Sequence, residues 1–329
     1  MHKKPLVIIR TVQNDNVKNV VNVVKEIMNL LNWEDLIKEE TRVLIKLNLS
    51  SIEERFLKAS NTDKKIIEAV VTVLKKKTNK IVLIESDGMR YSAEEAFRIN
   101  GIYELAERMN ISVINLSNEK HIYGLHPLLE DFGIPEILLS DNSILITLPV
   151  LKTHAITAIS GALKNQWGCI PRYDRILLHK NLDILLPFLN KLLRPQIAIM
   201  DGIWCMEGRG PTSGKPRYLG IILGSRFPAS LDAVAMRLIG LDPHNSKHLV
   251  LSSGEELGSI KEEDIVIEGK EIFEKYKVHF EPAKLDWVLR LMNYMTRSKF
   301  FVYKILLNNN IFKIGKIAVN ILRNIGIVR

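Results

Sequence analysis

Short apolar runs rich in β-branched residues recur at 6–9, 43–47, 81–84, 113–114, 144–148, 197–200 and 219–223, and longer segments of helical period separate them. A run of this length pairs into a sheet, and a helical crossover between successive runs returns the chain to the same edge, so the alternation predicts an α/β fold. We expect a largely parallel or mixed sheet flanked by helices. The capping residues agree. Asp15 or Asn16 is placed to open a helix reaching Leu31, the Asn61, Thr62, Asp63 triplet one reaching Lys77, and Ser92 one that ends at Asn100 and Gly101. No internal repeat or low-complexity tract interrupts the pattern.

Four of the runs give way directly to polar residues: Lys46 and Asn48 after the second, Glu85 to Gly88 after the third, Lys152, Thr153 and His154 after the fifth, and Asp201 after the sixth. Strands must end in turns and turns are polar, which explains any one of these clusters. In a parallel sheet, however, all four fall on one edge, where ligands of such folds bind.

Charge is unevenly distributed. The chain carries a net +9, and residues 285–329 hold eight Lys or Arg against the single acid Asp286, so seven of the nine charges sit in the tail. The body, expected to span 1–280, is nearly neutral and has no basic stripe interleaved with aromatics, which argues against a nucleic-acid partner. In the tail, 281–329, Ile311, Ile314, Ala318, Ile321 and Ile325 recur at helical spacing opposite Lys313, Lys316, Asn320 and Arg323. That is a basic amphipathic helix, suited to the body, a second subunit or an anionic membrane surface. Two cysteines, Cys169 and Cys205, are too few for a disulfide framework or a four-cysteine iron–sulfur cluster. With no export signal at the N-terminus, a cytoplasmic protein is expected, membrane-peripheral if the tail binds lipid.

The segment 148–169, together with His179, concentrates the reactive side chains. His154 is a candidate acid/base. Thr157, Gly161 and Lys164 fall at helical spacing among Ala155, Ala158 and Ala162, which predicts one helix whose small residues desolvate Lys164 and make it a nucleophile or covalent anchor. His179 is the candidate metal ligand, with Cys169 a weaker one, although a His, Cys, His set spread over this span lacks the spacing of a zinc finger. His244 and His248 are read as one turn apart on a helix that lacks the Glu of a metalloprotease motif. The glycine-rich stretch 201–217 fails the phosphate-loop pattern because Pro216 stands where that motif needs a hydroxyl. It is expected to be a mobile loop whose Arg209 and Lys215 clamp an anion, or else a long hairpin connection.

These segments resemble the family catalogued as Domain of Unknown Function 362. The resemblance rests on Ile45-Lys46-Leu47-Asn48, the Glu85-to-Gly88 strand end, Leu151 to His154, Gly161 to Gly168 with His179, Asp201-Gly202 through Gly214, and Leu231 to Ala235 with Gly240 to Pro243. Family members often carry added ferredoxin-like cysteine clusters, which this chain lacks. More distantly, the order His154, Lys164, His179 resembles the core of the nickel-pincer lactate racemase family. That likeness implies acid/base chemistry at His154, a cofactor anchored on Lys164 and nickel bound by His179; that family's second catalytic histidine has no counterpart that we can place.

The expectation is therefore a metal- or cofactor-dependent enzyme, isomerase-like or oxidoreductase-like, acting on a small anionic substrate such as a hydroxy acid. His154, Lys164 and Asp201 would act on the substrate, while Lys46, Asn48, Thr153, Gly161, Asn165, Arg209 and Lys215 bind it or its cofactor. The alternatives are a non-catalytic membrane-peripheral or complex-forming protein and a redox partner of an iron–sulfur protein acting through its two thiols.

Overall fold

The computed structural model describes residues 4–284, 287–308 and 311. The chain opens with β1 (Leu6–Thr11), α1 (Val17–Leu30), β2 (Arg42–Lys46), α2 (Glu54–Ser60), α3 (Lys64–Leu74), β3 (Ile81–Glu85), α4 (Ala93–Ile99), α5 (Ile102–Arg108) and β4 (Ser112–Asn115). A small ribbon, β5 (His121–Ile122) with β6 (Ile134–Pro135), precedes β7 (Ser143–Thr147), β8 (Val150–His154), β9 (Ala158–Ser160) and α6 (Ala162–Asn165). Then come α7 (Leu182–Leu193), β10 (Ile197–Glu207), β11 (Lys215–Ser225), α8 (Pro228–Leu238), α9 (Lys247–Ser252), β12 (Val266–Glu268), α10 (Lys270–Tyr276), α11 (Trp287–Met295) and α12 (Lys299–Phe301).

The main sheet runs in the order β12-β1-β11-β10-β7-β2-β3-β4, with β8 pairing β10 and β9 pairing β8. Its β10-β7-β2-β3-β4 half is parallel, whereas β11 is antiparallel to both β1 and β10. This is the expected α/β class. Alternation along the strands accounts for the layers: Val43 and Ile45 enter one apolar cluster with α1 and α3, while Leu44 between them enters another with α7. Both faces are thus covered, as parallel strands require.

The helix starts follow their caps. The Asn16 side chain accepts from Asn19 N, Asp63 from Lys65 N and Ser92 from Glu95 N, each satisfying an amide that helical geometry leaves without a partner. Where α1 crosses the sheet it comes close to β11: a Cβ at Gly224 would lie 2.3 Å from Ile27 Cγ2.

Three expectations are corrected. Residues 155–164 do not form one helix. Lys152, Thr153 and His154 are themselves strand, paired antiparallel with β9, and only the single turn α6 follows. The stretch 201–217 is not a mobile loop but, as the alternative reading had it, part of a hairpin: the end of β10 and the start of β11 joined through 208–214, which closes down on β8, where Thr153 Oγ1 donates to Gly208 O and a Cβ at Gly210 would meet Thr153 O at 1.9 Å. His244 and His248 lie in separate short turns rather than on one helix.

The amphipathic helix expected over 311–325 lies outside the described residues apart from Ile311. Before it, the helical turn Val302–Leu306 docks on the body. Val302 and Leu306 are buried in the cluster that contains Leu129 and Leu186, Tyr303 donates to Asp174, and Arg90 donates to Leu306 O. Among the described residues no helix is long and apolar enough to cross a membrane.

The close approach of α1 to β11 makes a test of this packing. Gly224→Val should lower stability by about 1–3 kcal/mol, as overpacking does, and should appear as a reduced urea midpoint with an unchanged denaturant slope.

Candidate functional site

β2 and β3 run parallel and end side by side, so Lys46 and Glu85 leave the sheet at the same edge. Lys46 Nζ lies 2.6 Å from Glu85 Oε1, with both side chains almost wholly buried. The pair is further satisfied: Lys46 donates to Leu47 O at 2.8 Å, and Glu85 accepts from Leu49 N and Ser86 N. That is how a desolvated ion pair must be held if it is not to cost more than it contributes. Beside it opens a cavity of about 170 Å³ whose walls include Lys46, Asn48, Glu85, Lys164, Asn165 and Arg175. Gly168 closes against the pair; a Cβ there would lie 2.8 Å from Lys46 Nζ.

A second lysine is buried under the cleft floor. Lys152 Nζ donates to Asn48 Oδ1 at 2.7 Å, Ser50 Oγ at 2.9 Å and Ser60 O at 2.7 Å, so all three of its protons have neutral acceptors. Burial, followed by the charge on Lys164, holds its pKa well below that of an ordinary lysine. The cage also orients the amides of the cleft wall. With Asn48 Oδ1 facing an ammonium, its Nδ2 donates to Asn165 Oδ1 at 2.9 Å, and Asn165 Nδ2 in turn donates to Thr147 Oγ1 at 2.8 Å.

Lys164 sits on α6, a single turn too short to hold itself. Asp232 of α8, fully buried, holds it instead, accepting from Ala162 N at 2.6 Å and Leu163 N at 3.0 Å. Glycine is required before that turn, because a Cβ at Gly161 would meet Asp232 Oδ1 at 2.2 Å. Burial raises the Asp232 carboxyl to about 7 against the pull of the two amides. The Lys164 ammonium has no hydrogen-bond or ion-pair partner among the described residues. Burial, then the Arg175 charge, brings its pKa down to about 8. Arg175 donates only to neutral oxygens, namely Ser86 Oγ, Ile170 O and Arg172 O. Two cations thus face the cleft with no carboxylate in ion-pair contact with either.

Three histidines surround Lys164 without lining the cleft. Burial first, then the Lys164 charge, lowers all three, His179 to about 3 and His248 to about 4, so each is neutral at pH 7. The hydrogen bonds assign two tautomers. His154 Nδ1 accepts from Ile156 N and Thr157 N, both at 3.2 Å, which puts its proton on Nε2. Ser246 Oγ donates to Thr157 O at 3.0 Å, so His248 Nδ1 donates to Ser246 Oγ, leaving a bare lone pair on Nε2 that is buried without a partner. One ring is a donor and the other an acceptor. His179 packs against Trp167 with ring centroids 5.7 Å apart.

The cleft therefore gathers Lys46, Asn48, Lys164 and Asn165 of the residues anticipated. Others lie elsewhere. Asp201 uses both oxygens on backbone amides, Asp63 N and Ile203 N, and its carboxyl, raised by burial to about 7, faces the start of α3. Thr153 is tied to the hairpin loop. Lys215 is exposed and pairs with Glu281, and neither it nor Arg209 lines the cleft, so the expected anion clamp is not part of it. Cys169 is a core thiol that burial pushes up to about 12, and it lies in a different apolar cluster from Cys205. Both thiols are free and buried, which removes the disulfide form of the redox reading. Among the described residues no three His, Cys, Asp or Glu side chains converge as ligands, so the metal expectation for His179 and Cys169 has no donor set there. Arg175 and Asp232 were not anticipated, and His248 was ranked low. Asp232 left a trace, a lone acid in an otherwise apolar stretch of α8; Arg175 left none.

A family model described as "Domain of unknown function (DUF362)" matches residues 43–237. A thylakoid-associated protein of Synechocystis is 26% identical over 220 residues, which cover 64% of this chain and 66% of that protein, just under two thirds of its length. Among solved structures, the lactate racemase apoprotein from Thermoanaerobacterium thermosaccharolyticum is similar at 13% identity and a TM-score of 0.44, over 70% of this chain and 56% of that one. A protein from Thermotoga maritima is similar at 13% identity and a TM-score of 0.36, over 63% and 54%. At these scores neither likeness bears on chemistry. The family match runs through more than half of the chain and contains every residue that lines the cleft, and on that ground the chain belongs to the family named Domain of unknown function (DUF362).

Proposed function

We propose that the cleft binds a small anion of the hydroxy-acid class and that Lys164 moves a proton on it. The observation that carries this reading is a pair of cations, Lys164 and Arg175, with no ion-pair contact among the described residues, on the walls of one cavity of about 170 Å³. Glu85 on the same wall is taken up by Lys46, so two partly desolvated positive charges without an ion-pair partner are costly in the empty protein, and a bound anion relieves that cost. The volume suits a molecule of a few heavy atoms. Arg175 presents a fixed planar donor set to a carboxylate, while Asn48 and Asn165, oriented by the Lys152 cage, supply polar contacts to a neighbouring hydroxyl. Lys164, with a pKa near neutrality, can hold a proton or release it in the working range, as a general acid or base must.

A second reading concerns the tail. Trp287, Leu291 and Tyr294 fall one helical turn apart on α11 and are about half or more exposed, as is Phe300, with Arg290, Arg297 and Lys299 among them. Aromatic and apolar side chains in a cationic setting suit the interface of an anionic membrane. The thylakoid association named for the Synechocystis relative supports the same placement.

Lactate and inorganic phosphate serve as probes of the cleft. Each should raise the melting temperature of the wild type, and Arg175→Ala or Lys164→Met should abolish the shift; an unchanged shift in both variants would remove the proposal. Lys164→Met should also stabilise the unliganded protein at pH 7. The folded pKa of about 8 lies below the unfolded 10.5, so charging Lys164 opposes folding below pH 8, and this penalty fades as pH rises from 8 to 10.5. The gain in melting temperature should therefore shrink across that window. For the tail, Leu291→Glu with Phe300→Ser should release the protein from sedimenting phosphatidylglycerol vesicles while the lactate shift persists. Equal sedimentation of variant and wild type would rule the membrane reading out.

A further inference from the structure

A larger cavity opens at the opposite edge of the sheet, near the amino end of β1 and the C-terminal ends of α1 and α7. It has a volume of about 560 Å³, within the range of about 300–1,000 Å³ typical of small-molecule sites. Its floor is apolar, formed by Leu31 and Leu257, which are buried, with Leu6 and Phe227 beside them. Its rim holds four cations, Lys4, Lys191, Arg194 and Arg226, against one carboxylate, Glu256.

Two features separate this rim from ordinary surface charge. Elsewhere on the body some exposed cations are answered by acids, Lys80 by Glu40, Arg108 by Glu68 and Lys120 by Glu136, and others such as Lys18, Lys25 and Lys76 stand singly without an ion pair among the described residues; here four cations gather around one apolar floor. Here, among the described residues, Lys191 and Arg226 have no ion pair, while Lys4 and Arg194 donate only to main-chain oxygens, those of Glu263 and Lys191. The carbonyl ends of α1 and α7 reach the cavity and offset about half a charge each, which still leaves the rim positive. The second feature is Arg194 itself. It ends α7 with φ of 46° and ψ of 62°, the left-handed conformation that glycine adopts freely and other residues adopt at a cost. Backbone strain of this kind clusters at functional positions.

We propose that this cavity binds an amphipathic anion, a medium-chain fatty carboxylate, with its chain over Leu31 and Leu257 and its head group held by Arg194, Arg226 and Lys191. The site is distinct from the Lys164 cleft and does not depend on what that cleft does. Asn190 connects the two: it lines the cavity, and its side-chain amide donates to Leu163 O at 2.8 Å, one residue before Lys164.

Isothermal titration of the full chain with dodecanoate, kept below its micellar concentration, tests the proposal. The wild type should bind with one-to-one saturation, and Arg226→Glu combined with Lys191→Glu should weaken binding about tenfold or more. Arg194→Gly should weaken it as well, while raising the melting temperature because the strained backbone is relieved. Inorganic phosphate at equal concentration should not displace the fatty acid. Absence of saturable binding, affinity unaltered in all the charge variants, or displacement by phosphate would each overturn the assignment. Leu291→Glu with Phe300→Ser identifies the source of any signal from the tail: binding lost there and kept in the rim variants would likewise overturn it.

Discussion

Three lysines converge on a single sheet edge where, among the described residues, only one of them has an ion-pair partner, and the arrangement of the cleft follows from how each is accommodated. Lys46 takes Glu85. Lys152, left with neutral oxygens, is caged by Asn48, Ser50 and Ser60, and the cage fixes the amides above it. Lys164 receives nothing from the protein and shares its wall with Arg175. Because the interior solvates charge poorly, the edge carries an electrostatic demand that the rest of the site is built around. Even the histidines obey it: each is kept neutral by burial beside the same ammonium, and the tautomers of His154 and His248 are then fixed by backbone and hydroxyl partners.

Much of this fold was legible in the residues, and the reason is local. The pattern at 43–45 sends alternate side chains to opposite faces, and Asn16, Asp63 and Ser92 carry oxygens that cap whichever helix follows. The segment from Ala155 to Lys164 was misread because alanine and lysine favour helix wherever nothing else competes. What competes is the pairing of β8, which lies on β10 some fifty positions away and takes β9 of the misread segment as its antiparallel neighbour. The same distance explains the uneven reading of the site. Lys46, Asn48, Lys164 and Asn165 belong to words that lie at strand ends, whereas Arg175 follows a turn without a pattern, and Asp232 and His248 arrive from helices beyond the cleft-forming strands. Asp201 and Lys215 looked functional by type, but the polar partners that occupy them are set by the fold.

The tail divides in a comparable way. Val302 and Leu306 enter the body's apolar core and Lys299 pairs with Asp131, so part of the segment is structural. The aromatic side chains of α11 immediately before it remain outside. The docked turn thus ties the segment that carries these exposed side chains to the same body that holds the cleft.

The clamp between Gly161 and Asp232 has an evolutionary corollary. Those positions lie some seventy residues apart, yet no side chain can be added at the first while a carboxylate occupies the second. They form one heritable unit. A larger residue at Gly161 therefore needs a change at Asp232 as well, whereas the Lys164 side chain can be replaced without disturbing the backbone that presents it.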